Sequence, residues 1–425
     1  MKKILVLLVF LLLNAHGIVE DRSISLQDAI NLALSTNPQI RISILDVEIS
    51  KNDIKTASKL QNPSIGTFHN IGSTATGNPQ QIGVDYTIEL LKRGKRKKQA
   101  QSKVLSNIDN HKYQEQMLIL EVKKAYINLL LKKTNLRIVQ EQKELSKELL
   151  NTINSEVDKG IIPKTEAIQA KIDYNRNLMY ARIAKSEVIY AQNAFNTILN
   201  SSDINYDTKE DFLTDNYQKL LTINPKQELS FEKIKNYTLS NRYDLKALKQ
   251  EVETSKLNLE TTKSSLIPDI ELQGGYGYLT KGISDTNTYT QGAYAGVNIT
   301  NIPLFYNYKP EINNAKYEIE KAQLRYKDLE IDIIRNITDA YEKYTIAKNN
   351  LNFYNEELLP NSKELLETSK KSLDRKEIDL TSFLVSKKLY LELILGYNET
   401  LGEYYTSYAE LLGTMCAWDL EVENI

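Results

Sequence analysis

The side chains that could carry catalysis or bind a metal are few and isolated in this chain of 425 residues. Of its three histidines, His16 lies in an N-terminal apolar segment, and His69 and His111 have no second ligand at a useful spacing. A metal site or a nucleophile-and-base pair needs several such groups together. Gly275-Tyr276-Gly277 resembles part of a dinucleotide fingerprint, but no third glycine opens a helix after it. The sequence therefore predicts neither an enzyme nor a resident metal or cofactor.

A different chemistry is offered by six cations within seven residues, placed directly after a segment in which apolar and polar residues alternate. The alternation gives a strand one apolar and one polar face. About ten residues suffice for a tilted strand to cross a bilayer. We expect the apolar residues to face lipid and the cations to mark the membrane interface. The lipid-facing residues are Ile82, Val84, Tyr86 and Ile88, and the cations are Lys92, Arg93, Lys95, Arg96, Lys97 and Lys98.

Residues 1–17 have the composition of a secretory signal peptide. Two lysines precede an apolar run from Ile4 to Leu13, and a small-x-small cleavage site ends at Gly17. The alternative is a membrane anchor, but about ten apolar residues are too few to span a bilayer as a helix. The single cysteine, Cys416, allows no internal disulfide and does not follow the signal, where lipid could be attached. We expect export without lipidation.

Export limits what the basic run can bind. The formal net charge is −1, and basic residues cluster only locally. Because an exported protein meets no nucleic acid, anionic lipid headgroups are the better ligand, and each nearby cation contributes about 1 kcal/mol to such binding. A solvated turn without a ligand is the alternative that the sequence leaves open.

The chain repeats one plan of helices and strands. Leu34 matches Leu239, and Pro63 matches Pro268, at a single offset, which indicates duplicated halves. In the second half, Val297 and Ile299 continue the lipid-facing set, and apolar residues up to Leu358 recur at coiled-coil spacing before Pro360, which is expected to kink the helix. We assign residues 1–17 to the signal peptide, 18–200 to the first repeat (strands 64–71 and 81–91, helical hairpin 96–199), 201–228 to an irregular connector, 229–413 to the second repeat (strands 269–279 and 289–301, helical hairpin 311–412) and 414–425 to a C-terminal tail.

Four strands of membrane length cannot close on themselves. In hydrocarbon, the open edges of such a sheet would leave backbone groups unpaired. Several chains must therefore contribute strands to one barrel, and three chains would give about twelve, which lies within the range of known barrels. The polar loops at residues 72–79 and 280–288 are expected outside the cell, since they join strands on the side away from the long helices.

Several motifs resemble a known family. They are the segment from Ile24 to Leu34 followed by Asn37-Pro38, the turn Gly160-Ile161 between two long helices, and Leu358-Leu359-Pro360 in the second half. Together with the twice-repeated order helix, helix, strand, strand, long hairpin, they resemble the TolC family of outer-membrane efflux channels over nearly the whole mature chain. Residues 89–96 (ELLKRGKR) are similar to the strand exit of the cobalt-zinc-cadmium branch of that family.

The resemblance implies a mainly α protein with membrane β structure. It implies a homotrimer in the outer membrane, in which each chain gives four strands to a twelve-stranded β-barrel and its helical hairpins form a periplasmic tunnel. The implied partners are a periplasmic adaptor (membrane fusion) protein and an inner-membrane pump of the resistance-nodulation-division type. The implied function is the export of toxic compounds, with heavy-metal cations favoured by the narrower match. Drug efflux, type I protein secretion and a secreted coiled-coil rod or adaptor remain alternatives, although a rod does not need four strands.

The resemblance also implies a gate at the hairpin tips. TolC itself has Thr-Asp just after the first tip, where this chain has Thr165 and Glu166. The tyrosine and arginine of the opposing tip fall near Ser372 and Glu377, and the acidic ring falls on Thr381 and Leu384, so the network would have to be rebuilt. Closure by helix packing alone is the alternative. The gate candidates are Thr165, Glu166, Arg375, Lys376 and Asp379, beside the tip residues Gly160 and Ile161.

Overall fold

The protein consists of two compact units in the computed structural model. One unit, here termed the hairpin unit, falls within residues 1–41, 113–242 and 332–425, and the other, the sheet unit, within residues 42–112 and 243–331. The predicted signal peptide, nearly all of the two predicted outer loops and most of the predicted tail lie outside the described residues. The structure describes residues 20–69, 71, 79–202, 204–211, 213, 230–279 and 292–417.

Helices make up most of the described chain. The first one begins as the sequence predicts, because the Ser25 hydroxyl accepts a hydrogen bond from the amide of Asp28 at 3.2 Å. The third helix begins at Lys92, earlier than the expected Arg96, so the whole basic run is helical. The helices are α1 (Leu26–Thr36), α2 (Pro38–Ser58), α3 (Lys92–Asp158), α4 (Lys164–Ile198), α5 (Phe231–Asn241), α6 (Tyr243–Lys263), α7 (Lys309–Phe353), α8 (Leu359–Asp374) and α9 (Leu380–Met415).

The regular helix expected to kink at Pro360 changes to a π-helical turn just before the proline. The helix from Lys309 ends at Phe353, and a π-helical turn occupies Tyr354–Leu358. Pro360 then lies in the first turn of α8. An amide at that position has no partner within its own helix, so the proline costs no hydrogen bond there. Because the ring would clash with the backbone one turn upstream, the interruption falls there rather than at the proline itself.

A four-stranded antiparallel sheet forms the end of the sheet unit. Its strands are β2 (Ser64–His69), β3 (Pro79–Ile88), β5 (Asp269–Leu279) and β6 (Gly292–Thr300), in the order β2-β3-β5-β6. The register places Ile82 opposite Tyr276 and Leu272 opposite Val297, so the apolar residues of neighbouring strands share one face. Their side chains are exposed in the single chain; that of Val297 is 68% exposed.

The opposite face of the sheet is polar and carries glycines where a tyrosine crosses it. Gly83 lies opposite Gly275 in the register. The hydroxyl of Tyr294, from β6, lies where a side chain at either glycine would have to be, and its Cζ is 3.2 Å from an ideal Cβ on Gly83. Glycine is therefore required at Gly275, where backbone atoms of Ile82 and Gly83 fill the space, whereas a side chain at Gly83 would displace the ring of Tyr294.

The hairpin unit contains a second sheet that was not expected from the sequence pattern. Strand β1 (Glu20–Ile24) pairs in parallel with β4 (Ile204–Thr208), inside the segment that was expected to be irregular. Tyr126 of α3 is fully buried beside this pair and donates a hydrogen bond to the carbonyl of Ile24 at 3.0 Å. The pair therefore joins residues 204–208 of the connector to the segment that precedes α1.

Candidate gate and membrane interface

The first hairpin tip is built by Gly160. It has a φ of +72°, a left-handed conformation that glycine adopts without strain. The amides of Gly160 and Ile161 donate to the carbonyls of Val157 and Glu156, both at 2.9 Å, which closes the end of α3 as a Schellman motif. Helix α4 then starts at Lys164, with Thr165 exposed and Glu166 half-buried in its first turn.

The second tip joins α8 to α9 and makes its own polar contacts. Arg375 lies 3.8 Å from the carboxylate of Glu377, which also accepts a hydrogen bond from Ser372 at 2.9 Å. Lys376 has a φ of +61° and is exposed. Asp379 caps α9 by accepting a hydrogen bond from the amide of Ser382 at 2.8 Å. Bonding to Ser382 holds the pKa of the Asp379 carboxyl below its usual range.

Glu166 and Arg375 form no ion pair with each other within one chain. Among the described residues, Arg375 pairs with Glu377 of its own tip, since two residues in one turn meet more readily than two tips. The two tips are instead joined by apolar packing and by one hydrogen bond from Thr381 to Gln169 at 3.2 Å. The buried centre of this packing consists of Ile153, Ala170, Leu380 and Phe383.

A buried polar cluster that no sequence pattern had indicated lies further along the same helices. Lys387 of α9 donates to Ser146 of α3 at 2.6 Å and to the carboxylate of Asp173 in α4 at 3.2 Å. Asn177 also donates to Ser146 at 2.6 Å. Burial lowers the pKa of Lys387, and the charge of Asp173 opposes that effect. This cluster, here termed the Lys387 cluster, joins three helices of the two hairpins.

A cavity of about 320 Å³ adjoins the Lys387 cluster. Its walls come from α3, α4 and α9 and include Gln142, Tyr180 and Leu391. The side-chain amide oxygen (Oε1) of Gln142 is buried and has no hydrogen-bond partner among the described residues. The signal that could have located this region is a polar residue within an apolar stripe, since Lys387 follows Leu380 and Phe383 at helical spacing.

The basic run is divided between internal ion pairs and solvent. Lys92 lies 2.8 Å from Asp269, and Arg96 donates to both carboxylate oxygens of Glu89, at 2.5 and 2.6 Å. Lys95 lies 3.6 Å from Glu260. Lys92, Lys95 and Arg96 therefore each have a carboxylate partner within the chain, and the location of the run at a membrane interface stays a prediction. The exposed cations are Arg93, Lys97 and Lys98.

The two histidines within the described residues each bond to a neighbouring polar group. His111 lies 2.8 Å from the Ser43 hydroxyl, and His69 bonds to Gln80. Within the described ranges, no group of three or more His, Cys, Asp and Glu side chains is placed to hold a metal ion. No described helix is both long enough and apolar enough to cross a membrane.

Comparison with known proteins identifies the family. No curated protein matches the sequence. The fold is similar to the CmeC outer membrane channel of Campylobacter jejuni (16% identity, TM-score 0.73, 93% of this chain and 86% of that chain). It is also similar to CusC (14%, 0.75, 95% and 94%) and to the open state of the MtrE outer membrane channel of Neisseria gonorrhoeae (15%, 0.71, 92% and 88%).

The outer membrane efflux protein family supplies a model that matches the sequence itself. The match covers residues 29–201 and 236–375, which is most of the chain. Those two segments contain α3, α4, α7 and all four strands of the larger sheet, and they end before α9. The chain therefore belongs to the outer membrane efflux protein family, whose members are TolC-like, non-enzymatic transport channels.

Proposed function

We propose that three copies of this chain form the outer-membrane exit channel of a tripartite efflux system. The observation that carries the proposal is the four-stranded sheet with an exposed apolar face and two edges, β2 and β6, that have no second neighbour among the described strands. Such edges would leave backbone groups unpaired in hydrocarbon. Pairing β6 of one chain with β2 of the next provides hydrogen-bond partners for the backbone groups of both edges, and three chains give about twelve strands.

Disulfide trapping tests this assembly directly. Ile65 lies on β2 and Val297 on β6, both on the exposed apolar face. In a background with the buried Cys416 replaced by alanine, Ile65→Cys combined with Val297→Cys, or with a neighbouring β6 position on the same face, should give covalent trimers. Each single cysteine is the control and should give none. Intrachain products alone, or monomers throughout, would contradict the trimeric barrel.

Membership of the family supports the proposed partners and the location. A channel with its sheet in the outer membrane needs a periplasmic adaptor and an inner-membrane pump to deliver cargo to its helical end. We assign those roles to a membrane fusion protein and to a pump of the resistance-nodulation-division type. Proteins captured on the full-length trimer by crosslinking in cells should include both, and their absence from a wild-type sample would contradict this arrangement.

Heavy-metal cations are the proposed cargo, on the strength of the resemblance of residues 89–96 to the cobalt-zinc-cadmium branch. In the structure, an ion pair between Glu89 and Arg96 lies within this segment, and a second ion pair joins Lys92 of the segment to Asp269 of β5. A deletion strain should lose survival on cobalt, zinc or cadmium, and the intact gene should restore it. Loss of survival on organic toxicants alone would assign the channel to drug efflux instead.

A further inference from the structure

Two segments of the sheet unit meet at the end of the sheet where the strands lead into long helices. Asp269, the first residue of β5, is 3% exposed. One of its carboxylate oxygens accepts hydrogen bonds from Lys92 at 2.8 Å and from the side chain of Asn301 at 2.7 Å. The start of α3 and the segment after β6 are therefore held side by side.

Both segments carry large apolar side chains that the chain itself does not cover. Phe305 is 102% exposed, and Leu304 and Leu91 are 76% and 71% exposed. They follow directly on the exposed apolar face of the sheet, which ends with Ile88 on β3 and Ile299 on β6. An apolar surface that continues a lipid-facing strand is best covered by the same lipid.

Cations flank this apolar surface. Arg93, Lys97 and Lys98 are exposed and make no ion pair with any part of the chain that the structure describes. Arg93 and Lys97 are four residues apart and so lie on the same side of α3. Long basic side chains beside apolar ones are typical of a membrane interface, where the stems lie along the acyl region and the charges reach phosphate.

We propose that Leu91, Leu304 and Phe305, together with Arg93, Lys97 and Lys98, bind anionic phospholipid at the inner face of the outer membrane. The apolar side chains enter the acyl region, and the three cations bind headgroup phosphates. This site, here termed the lipid collar, depends on the proposed insertion of the sheet in the membrane. Free phosphate alone would not account for the apolar residues, and acyl chains alone would not account for the three cations.

The test uses the full-length trimer and native mass spectrometry, with phosphatidylglycerol and phosphatidylcholine of equal chain length. Wild type should prefer phosphatidylglycerol. The triple variant Arg93→Gln, Lys97→Gln, Lys98→Gln should reduce that preference about tenfold or more, because each cation near a headgroup contributes independently. A matched triple variant, Lys249→Gln, Lys316→Gln, Lys327→Gln, removes the same charge from exposed helix positions. This control variant should keep the wild-type preference for phosphatidylglycerol.

A second pair of substitutions separates the two parts of the lipid collar. Leu304→Ser with Phe305→Ser should weaken binding of both lipids and leave the preference intact. Displacement of phosphatidylglycerol by inorganic phosphate alone would assign the cations to a free phosphate site and overturn the proposal, as would an unchanged preference in the Arg93 triple variant. Conductance is measured on the same samples. A wild-type trimer that conducts but shows no lipid preference would refute the lipid collar alone. A wild type that forms no membrane-inserted trimer would refute the proposed function as well.

Discussion

Lys387 and Asp173 form an ion pair across 3.2 Å, with 10% and 6% of their side chains exposed, between helices of two different hairpins. Removing one partner of a buried pair leaves the other charge without full compensation. Asp173 keeps a second partner, Arg176 at 2.7 Å, so the loss is only partial. The pair therefore couples α4 to α9 more strongly than a surface ion pair could.

The first prediction concerns this pair. Lys387→Met should destabilise the protein by about 3 kcal/mol, the lower end of the range for breaking a buried ion pair. Adding Asp173→Asn should recover most of the loss, because the uncompensated charge is removed. Urea denaturation followed by circular dichroism measures both changes. The control is Lys388→Met, at a neighbouring exposed position, which should change stability little, and an equal loss in both single variants would contradict a special role for Lys387.

The second prediction concerns glycine on the polar face of the sheet. A Cβ at Gly275 would come within 2.6 Å of the Gly83 Cα and would also clash with the carbonyl of Ile82. Backbone atoms cannot rotate away, so Gly275→Ala should sharply lower the yield of assembled trimer on semi-native gels. Gly277→Ala is the matched control, since the heavy atom nearest to a Cβ at Gly277 would be 3.7 Å away. Equal yields would show that β3 and β5 are further apart in the membrane than in this structure.

The third prediction tests the face of the sheet that we propose for lipid. Val84→Arg should impair assembly more than Asp85→Arg, because a lipid-facing cation near the midplane costs about 2 to 4 kcal/mol. Spin labels at Val84 and Val297 should report hydrocarbon, and labels at Asp85 and Asn298 should report water. The reverse pattern would mean a register shifted by one residue, which exchanges the two faces.

The sequence was sufficient for features that depend on local periodicity. The alternation around Val84 predicted a two-faced strand, and the register across β3, β5 and β6 aligns the apolar residues on one face. It was insufficient where residues distant in the chain meet. Nothing near Glu20 indicated the parallel pairing with Ile204, and nothing near Lys92 indicated that Asp269 neutralises it. A pattern shows which side chains are charged or apolar, but not which partners the tertiary fold supplies.

The fourth prediction concerns acid. The hydrogen bonds from Ser382 lower the folded-state pKa of Asp379. Its carboxylate therefore contributes stability above the usual pKa of about 3.9, and this contribution is lost as the pH falls through the lower folded value. Asp379→Asn keeps a capping side chain without the charge. Because wild type loses the contribution of the charge in acid, the melting temperatures of the variant and of wild type should converge as the pH falls from 6 to 3. A difference in melting temperature between Asp379→Asn and wild type that is the same at pH 6 and pH 3 would contradict this role of the Asp379 charge.

The last prediction addresses the gate, which we propose lies where the hairpin tips of three chains meet. Glu166 does not reach Arg375 within one chain, so an ion pair between them must form between neighbouring chains if it closes the tunnel. Surface pairs of about 0 to 1 kcal/mol each suit a gate that a partner protein must open. Glu166→Lys should then raise single-channel conductance in planar bilayers, and adding Arg375→Glu should partly restore the closed level by pairing the reversed charges.

The competing explanation is closure by the apolar cluster between the tips, and the same recordings separate the two. Phe383→Ala removes a buried ring from that cluster and leaves every tip charge in place. If conductance rises in Phe383→Ala and stays unchanged in Glu166→Lys, helix packing holds the tunnel closed and Glu166 is a solvated charge. If Glu166→Lys opens the channel and Arg375→Glu does not restore the closed level, Lys376 is the next partner to reverse, because it lies beside Arg375 and is exposed.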